Sequence, residues 1–157
     1  MLAMMRERSV AASPFTKLIG AELLSCWNGE AEMSVPVRPE LTQHRGTVHG
    51  GVIGAAADNV SGWAAASLLG PVVTTNYTIH FLKPAVGDNL LARAKVVQSG
   101  RRLAVAEAKV FIEAGGERIL VATATVSFAT IDSNRRRPAD RRAEAPLAIL
   151  GAARDRG

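Results

Sequence analysis

The chain has 157 residues, 48% of them hydrophobic and 21% charged, with a formal net charge of +5; this is the size and balance of one domain with one core. No apolar run approaches the roughly 20 residues of a membrane helix, and the stretch from Met1 to Arg8 is short and mixed in charge, so neither a membrane span nor a secretory leader is expected. The lone Cys26 has no partner for an internal disulfide or a zinc site, which fits a reducing, cytoplasmic setting.

Residues 1–17 read as a short helix that Pro14 disrupts. Residues 20–25 and 30–37 read as two strands around a Trp27-Asn28-Gly29 turn. In the second, Ala31, Met33, Val35 and Val37 alternate with Glu30, Glu32 and Ser34, the period of a half-buried strand. Pro36 and Pro39 interrupt regular pairing, and residues 38–45 form a polar connection. A glycine-rich start then opens a long helix over residues 49–69. It is apolar on nearly every face, so its own domain or a partner subunit must wrap it. Gly70-Pro71 ends it.

Residues 73–82 alternate Val73, Thr75, Tyr77, Ile79 and Phe81 against the more polar Thr74, Asn76, Thr78 and His80. Pro84 and Gly87-Asp88 mark a bend before the next strand, at 90–98. A further strand runs from after Arg102 to residue 112, Gly115-Gly116 signals a hairpin, and residues 118–130 close the sheet. The expected order is strand, strand, long helix, then four strands in meander. A single antiparallel sheet curled around one long central helix satisfies it, an α+β architecture. The division of the chain is an N-terminal segment at 1–17, one domain at 18–131 and a basic tail at 132–157.

The tail carries Arg135-Arg136-Arg137 and Arg141-Arg142, with a small apolar patch at 147–150 that could dock as a helical turn. Like-charge runs repel and read first as solvated chain; attraction of a polyanionic ligand or loose nucleic-acid contact is the sharper alternative. Aromatics make up only 4% of the chain and offer no stacking platform, so no specific nucleic-acid partner is expected.

Between residues 46 and 82 Asp58 is the only carboxylate, and no Lys or Arg accompanies it. A carboxylate is costly to bury without donors. Asp58 therefore either sits on an exposed face and bonds a neighbour, or it does chemistry. Eight residues earlier Gly50 and Gly51 occupy a helix start, where backbone amides lack partners and the helix dipole is positive. Without side chains they admit a ligand oxygen, which makes an oxyanion site plausible; tight helix–sheet packing explains them equally well. Eight helical residues span about 12 Å, too far for one chain to bring Asp58 and the Gly50 amide to the same carbon. If both act, the helix start of one copy must face Asp58 of another, in a two-fold dimer.

His49 either shapes the loop by local hydrogen bonding or polarises a carbonyl or water. As a metal ligand it lacks company, because His44 and His80 bring no carboxylate or cysteine at ligand spacing. A triad using Ser61 or Ser67 has no Gly-x-Ser-x-Gly elbow behind it, and neither a dinucleotide fingerprint nor a P-loop is present.

The segment Gln43-His44-Arg45-Gly46-Thr47-Val48-His49-Gly50-Gly51 leading to Asp58-Asn59, followed by Thr78-Ile79-His80-Phe81-Leu82-Lys83-Pro84-Ala85, closely resembles the hotdog-fold acyl-CoA thioesterases of the phenylacetate-pathway (PaaI-like) group. The resemblance covers residues 15–131 and leaves both termini out. It implies a hotdog fold, with dimers that join their sheets edge to edge and commonly pair into homotetramers. It implies Asp58 as nucleophile or general base and the Gly50 amide as the group that polarises the thioester carbonyl. Gln43 matches the position that holds substrate or lytic water, and His49 and Gly51 belong to the same loop. Thr74 matches a hydroxyl residue that positions water near the carboxylate. Lys83, Arg101 and Arg102 are candidates to meet the phosphates of coenzyme A, itself part of the substrate. No metal or redox cofactor is implied. Trp63 and Leu68 are candidates to wall a pocket that takes either an aryl or a medium-chain acyl group. Two rivals stand: a hotdog hydroxyacyl-CoA dehydratase using His49 and Asp58, and a non-catalytic acyl-CoA-binding sensor.

Overall fold

A computed structural model describes residues 13–131. The basic tail, the 147–150 patch and the first part of the N-terminal helix expectation lie outside the described residues. Ser13 caps a short helix α1 (Pro14–Leu18), its hydroxyl accepting from the Thr16 amide. Pro14 therefore starts this helix and does not disrupt it: at the first helical position its missing N–H is no loss and its fixed φ is already helical.

Strands β1 (Glu22–Trp27) and β2 (Glu30–Pro36) form a hairpin. Asn28 and Gly29 make its two-residue turn, with φ of 48° and 81°, the left-handed pair whose twist matches the flanking strands. A single 3₁₀ turn (Pro39–Leu41) leads into the loop before helix α2 (Gly50–Leu69). Four strands follow: β3 (Val72–Phe81), β4 (Asn89–Ser99), β5 (Leu103–Ala114) and β6 (Glu117–Thr130). All pairings are antiparallel in one six-stranded sheet of order β1-β2-β4-β5-β6-β3.

This order corrects the expected four-strand meander. Only β4, β5 and β6 form one; β3 lies at the far edge beside β6, and β4 pairs with β2. Residues 82–88 make the crossing, tied down by Leu82 N–H to the Val121 carbonyl, Val48 N–H to the Ala85 carbonyl, and Asp88 N–H to the Glu113 carbonyl. Seven extended residues reach about 23 Å, ample for the roughly 14 Å of three strand spacings. Hydrophobic alternation says which face a residue takes, and it carries no information about which strand lies alongside.

The sheet curls around α2. Its inner face is built largely of small residues, among them Ala92, Ala94, Ala106, Ala108, Ala122 and Ala124, against Ala56, Ala57, Ala64 and Ala65 of the helix. Small-on-small contact brings the helix axis close to the sheet, with Met33, Val110, Val126 and Phe128 filling what remains. The Cys26 thiol is buried in this core and donates to the Trp63 carbonyl; burial pushes its pKa up, which keeps it neutral and unreactive. Ion pairs Lys95–Glu30 (2.9 Å) and Arg93–Glu32 (3.1 Å) lie on the solvent face, where such pairs add little stability. Among the described residues no helix is long and apolar enough to cross a membrane.

Candidate active site

The loop before α2 is held by its own polar groups. Thr42 and Val48 form an isolated bridge, the Gln43 N–H donates to the Thr47 carbonyl, and Gln43 Nε2 donates to Thr47 Oγ1 at 2.6 Å. His49 caps the helix: its Nδ1 accepts from the Gly51 amide at 2.9 Å, and its carbonyl accepts from Val52 and Ile53. A nitrogen that accepts carries no proton, so the neutral ring holds its proton on Nε2. These bonds commit the Gly51 amide. The Gly50 N–H, one residue earlier, finds no acceptor among the described residues.

The glycines also serve packing. A Cβ on Gly50 would meet the Phe81 ring at 3.3 Å, and one on Gly54 would meet the Tyr77 hydroxyl at 3.4 Å. Two aromatic side chains of β3 thus lie over the first turns of α2, and both readings of the glycine-rich start hold together.

Asp58 is half-buried, and its Oδ1 accepts from Thr74 Oγ1 at 2.7 Å. The strand that brings Thr74 there does so through a β-bulge. Val72 and Thr74 pair with Thr130 and Phe128, but beyond the irregularity Tyr77, Ile79 and Phe81 pair with Val126, Ala124 and Ala122. The extra residue, Thr75, shifts the parity of the strand, and its hydroxyl donates to the Ser127 carbonyl at 3.1 Å. Simple alternation set Thr74 on the polar face with Asn76 and Thr78; the bulge turns it inward to the carboxylate, a use of bulges met next to active sites.

Both Gly50 and Asp58 lie in the one helix, so the separation of about 12 Å along its axis stands. Lys83 and the pair Arg101 and Arg102 are also apart. Lys83 follows the end of β3, whereas the Arg102 carbonyl accepts from Thr130, beside the start of β3. Ten strand residues, about 33 Å, separate the two ends. Trp63 and Leu68, candidates to wall an acyl pocket, do not line the cavity beside His49. Trp63 is buried in the core, and Leu68 packs against Gly29 at the opposite end of α2. What does open beside His49 and Gly51 is a cavity of about 650 Å³ reaching to α1, for which the sequence offered no signal. Among the described residues no three His, Cys, Asp or Glu side chains gather at metal-binding range.

Residues 45–119, the loop, helix α2 and the strands as far as β6, match the family model of the thioesterase superfamily. The crystal structure of a thioesterase family protein from Silicibacter pomeroyi is 33% identical over 84% of this chain and all of that one, with a TM-score of 0.79. The chain belongs to the thioesterase superfamily. Its hotdog fold also matches the PaaI protein of the Escherichia coli phenylacetic acid degradation operon, at 25% identity over 83% of this chain and 90% of that one, with a TM-score of 0.72. A mutant form of the phenylacetic acid degradation protein PaaI from Thermus thermophilus is 29% identical over 76% of this chain and all of that one, with a TM-score of 0.68. The resemblance carried by the His49-Gly50-Gly51 segment and Asp58 therefore extends to the whole fold, and thioester hydrolysis is the reaction class of this superfamily.

Proposed function

We propose that this thioesterase hydrolyses an aryl- or medium-chain acyl-CoA, at sites shared between two copies of the chain. The observation that carries the reading is the pairing, within one helix, of an unspent Gly50 N–H with a carboxylate held by a hydroxyl eight residues on. The Gly50 amide donates to the thioester oxygen and stabilises the negative charge that grows there. Asp58 of the partner subunit either takes a proton from water as the water attacks, or attacks directly to form an anhydride that water then opens. Either route adds one water and releases the free acid and the coenzyme A thiol. His49 holds the loop by accepting from Gly51, which orients the neighbouring amide; Gln43 steadies the same loop through Thr47. No metal or redox cofactor enters this scheme.

The dimer is supported by the edges of the sheet. β1 offers six residues of edge, whereas β3 offers ten, with Val73, Tyr77 and Phe81 half exposed. Long apolar edges are rarely left open in solution. Two-fold pairing of β3 with its own copy continues the sheet and sets the start of one strand beside the end of the other. Arg101 and Arg102 of the partner subunit then approach the Lys83 end, where together they can meet the coenzyme A phosphates. Two such dimers would complete a homotetramer.

Mixing of two inactive variants tests the shared site. Asp58→Asn removes the carboxylate; Gly50→Pro removes the amide at a helix position that tolerates proline, after a His49 backbone already extended at φ −62° and ψ 135°. Each alone releases no coenzyme A above a trace. Refolded together at equal amounts, half the dimers pair unlike chains and each holds one intact site, so about a quarter of wild-type activity returns. No recovery in verified mixed dimers would place both groups within one chain and sink the shared-site mechanism. An enoyl product from a 3-hydroxyacyl-CoA, with no free thiol, would make the protein a dehydratase.

A further inference from the structure

The cavity beside the helix start is shaped by the N-terminal helix. Ile19, Leu41 and Val52 form its apolar floor, and the half-exposed Phe15 and the more exposed Leu18 stand as its outer wall. Phe15 and Leu18 are three residues apart on α1 and so lie on one face of it. This wall is anchored. Ser13 caps α1, Thr16 and Ile19 are buried beneath it, and an Arg38 guanidinium nitrogen donates to the Leu18 carbonyl at 2.6 Å.

His49 and Gly51, the neighbours of Gly50 on either side, also line the cavity, so it opens at the start of α2. Its charged residues are Arg38 and Glu40, both exposed at the rim, with Arg38 already bonded to α1. A space of about 650 Å³ lies within the roughly 300–1,000 Å³ of small-molecule sites. The Arg38 guanidinium keeps its charge at the exposed rim, above the floor; the floor itself is apolar and suits neither phosphates nor an acidic acyl group. Asp58 is not among the lining residues, as its distance from Gly50 along the helix requires.

We infer that this cavity receives the acyl group of the thioester, that the group is bulky and uncharged, and that Phe15 and Leu18 are its selectivity wall. The inference rests on the thioesterase reading and adds to it the chemical class of the acyl group. The α1 helix is then part of the specificity apparatus, placed by the Arg38 clasp.

The test compares octanoyl-CoA and acetyl-CoA as substrates for the wild type, Phe15→Ala, Leu18→Ala and Leu18→Glu. Both side chains are at least half exposed, so the fold tolerates the changes. The octanoyl-to-acetyl ratio of kcat/KM is expected to fall roughly tenfold in the alanine variants and further in Leu18→Glu, where a carboxylate enters the wall. Calorimetric binding of the non-hydrolysable thioethers S-octyl-CoA and S-methyl-CoA should show the same loss of preference. An unchanged ratio in both measurements overturns the assignment, as does a change in oligomer size by light scattering with selectivity intact, which would give the groove to a second copy. A wild type that hydrolyses no acyl-CoA, yet loses its S-octyl preference in the variants, defeats the catalytic reading and leaves the cavity assignment standing.

Discussion

The two ends of α2 are capped in the same manner and to opposite effect. At the C-terminal end, Ser67 Oγ donates to the Ala64 carbonyl at 2.7 Å and accepts from the Gly29 amide at 2.8 Å, while the Gly70 N–H returns to the Ala66 carbonyl. Leu68 fills the space over Gly29. That end locks the helix to the β1–β2 hairpin and leaves these groups spent. At the N-terminal end His49 likewise serves as a side-chain cap, but it takes the Gly51 amide and leaves Gly50 without an acceptor, beside an open cavity. A helix start that keeps one donor unspent has given up some stability and gained a place for a substrate oxygen. The comparison teaches where to look for chemistry: at the helix end that leaves a donor unspent beside an open cavity.

Substitutions at three positions sharpen it. Gly50→Pro deletes the donor and, like Gly50→Ala, adds a Cβ against Phe81; it should lower kcat by about 10²–10³. Gly50→Ala keeps the N–H and only crowds Phe81, so it should lose much less; equal losses would show that space at this position matters and the donor does not. Thr74→Val comes next. It removes the hydroxyl on Asp58 and should cost about tenfold in kcat, with Thr74→Ser recovering most of it. An unaffected kcat would make that hydrogen bond merely structural. Ser67→Ala at the closed end has the smallest effect and the opposite sense. It leaves the Gly29 amide short of its partner and should cost about 1–2 kcal/mol in denaturant unfolding, with kcat unchanged. A loss of activity there would show that the two ends are coupled through the helix.

Much of this was legible in the residues themselves. The period-2 alternation of the strands, the long apolar run after the glycine-rich start, the Asn28-Gly29 and Gly115-Gly116 turns and the Gly70-Pro71 stop placed α2 and the six strands to within two residues, because each is a local demand on φ, ψ or burial. The site was legible in part. Asp58 stood out because no other carboxylate or strong base shares its stretch, and Gly50 because only a glycine-rich helix start lets a ligand near its amides. Thr74 matched by resemblance, but alternation turned it to the wrong face. The bulge that corrects this depends on how β3 meets β6, and Thr-Thr-Asn carries no mark of it. Pro14 was misread for a simpler reason: proline ends or starts a helix according to its place in it, and the Ser13 cap shows which.

The sequence by itself determined that this chain has an apolar helix inside a half-buried antiparallel sheet, and that a glycine pair and a single carboxylate lie two helical turns apart. These follow from composition and spacing, which act over a few residues. The tertiary structure decided that β3 leaves the meander for the far edge, that the bulge aims Thr74 at Asp58, and that α1 folds back to wall a cavity at the helix start. Each of these is a contact between segments far apart in the chain. Its free energy depends on which surfaces meet, and no window along the sequence contains both.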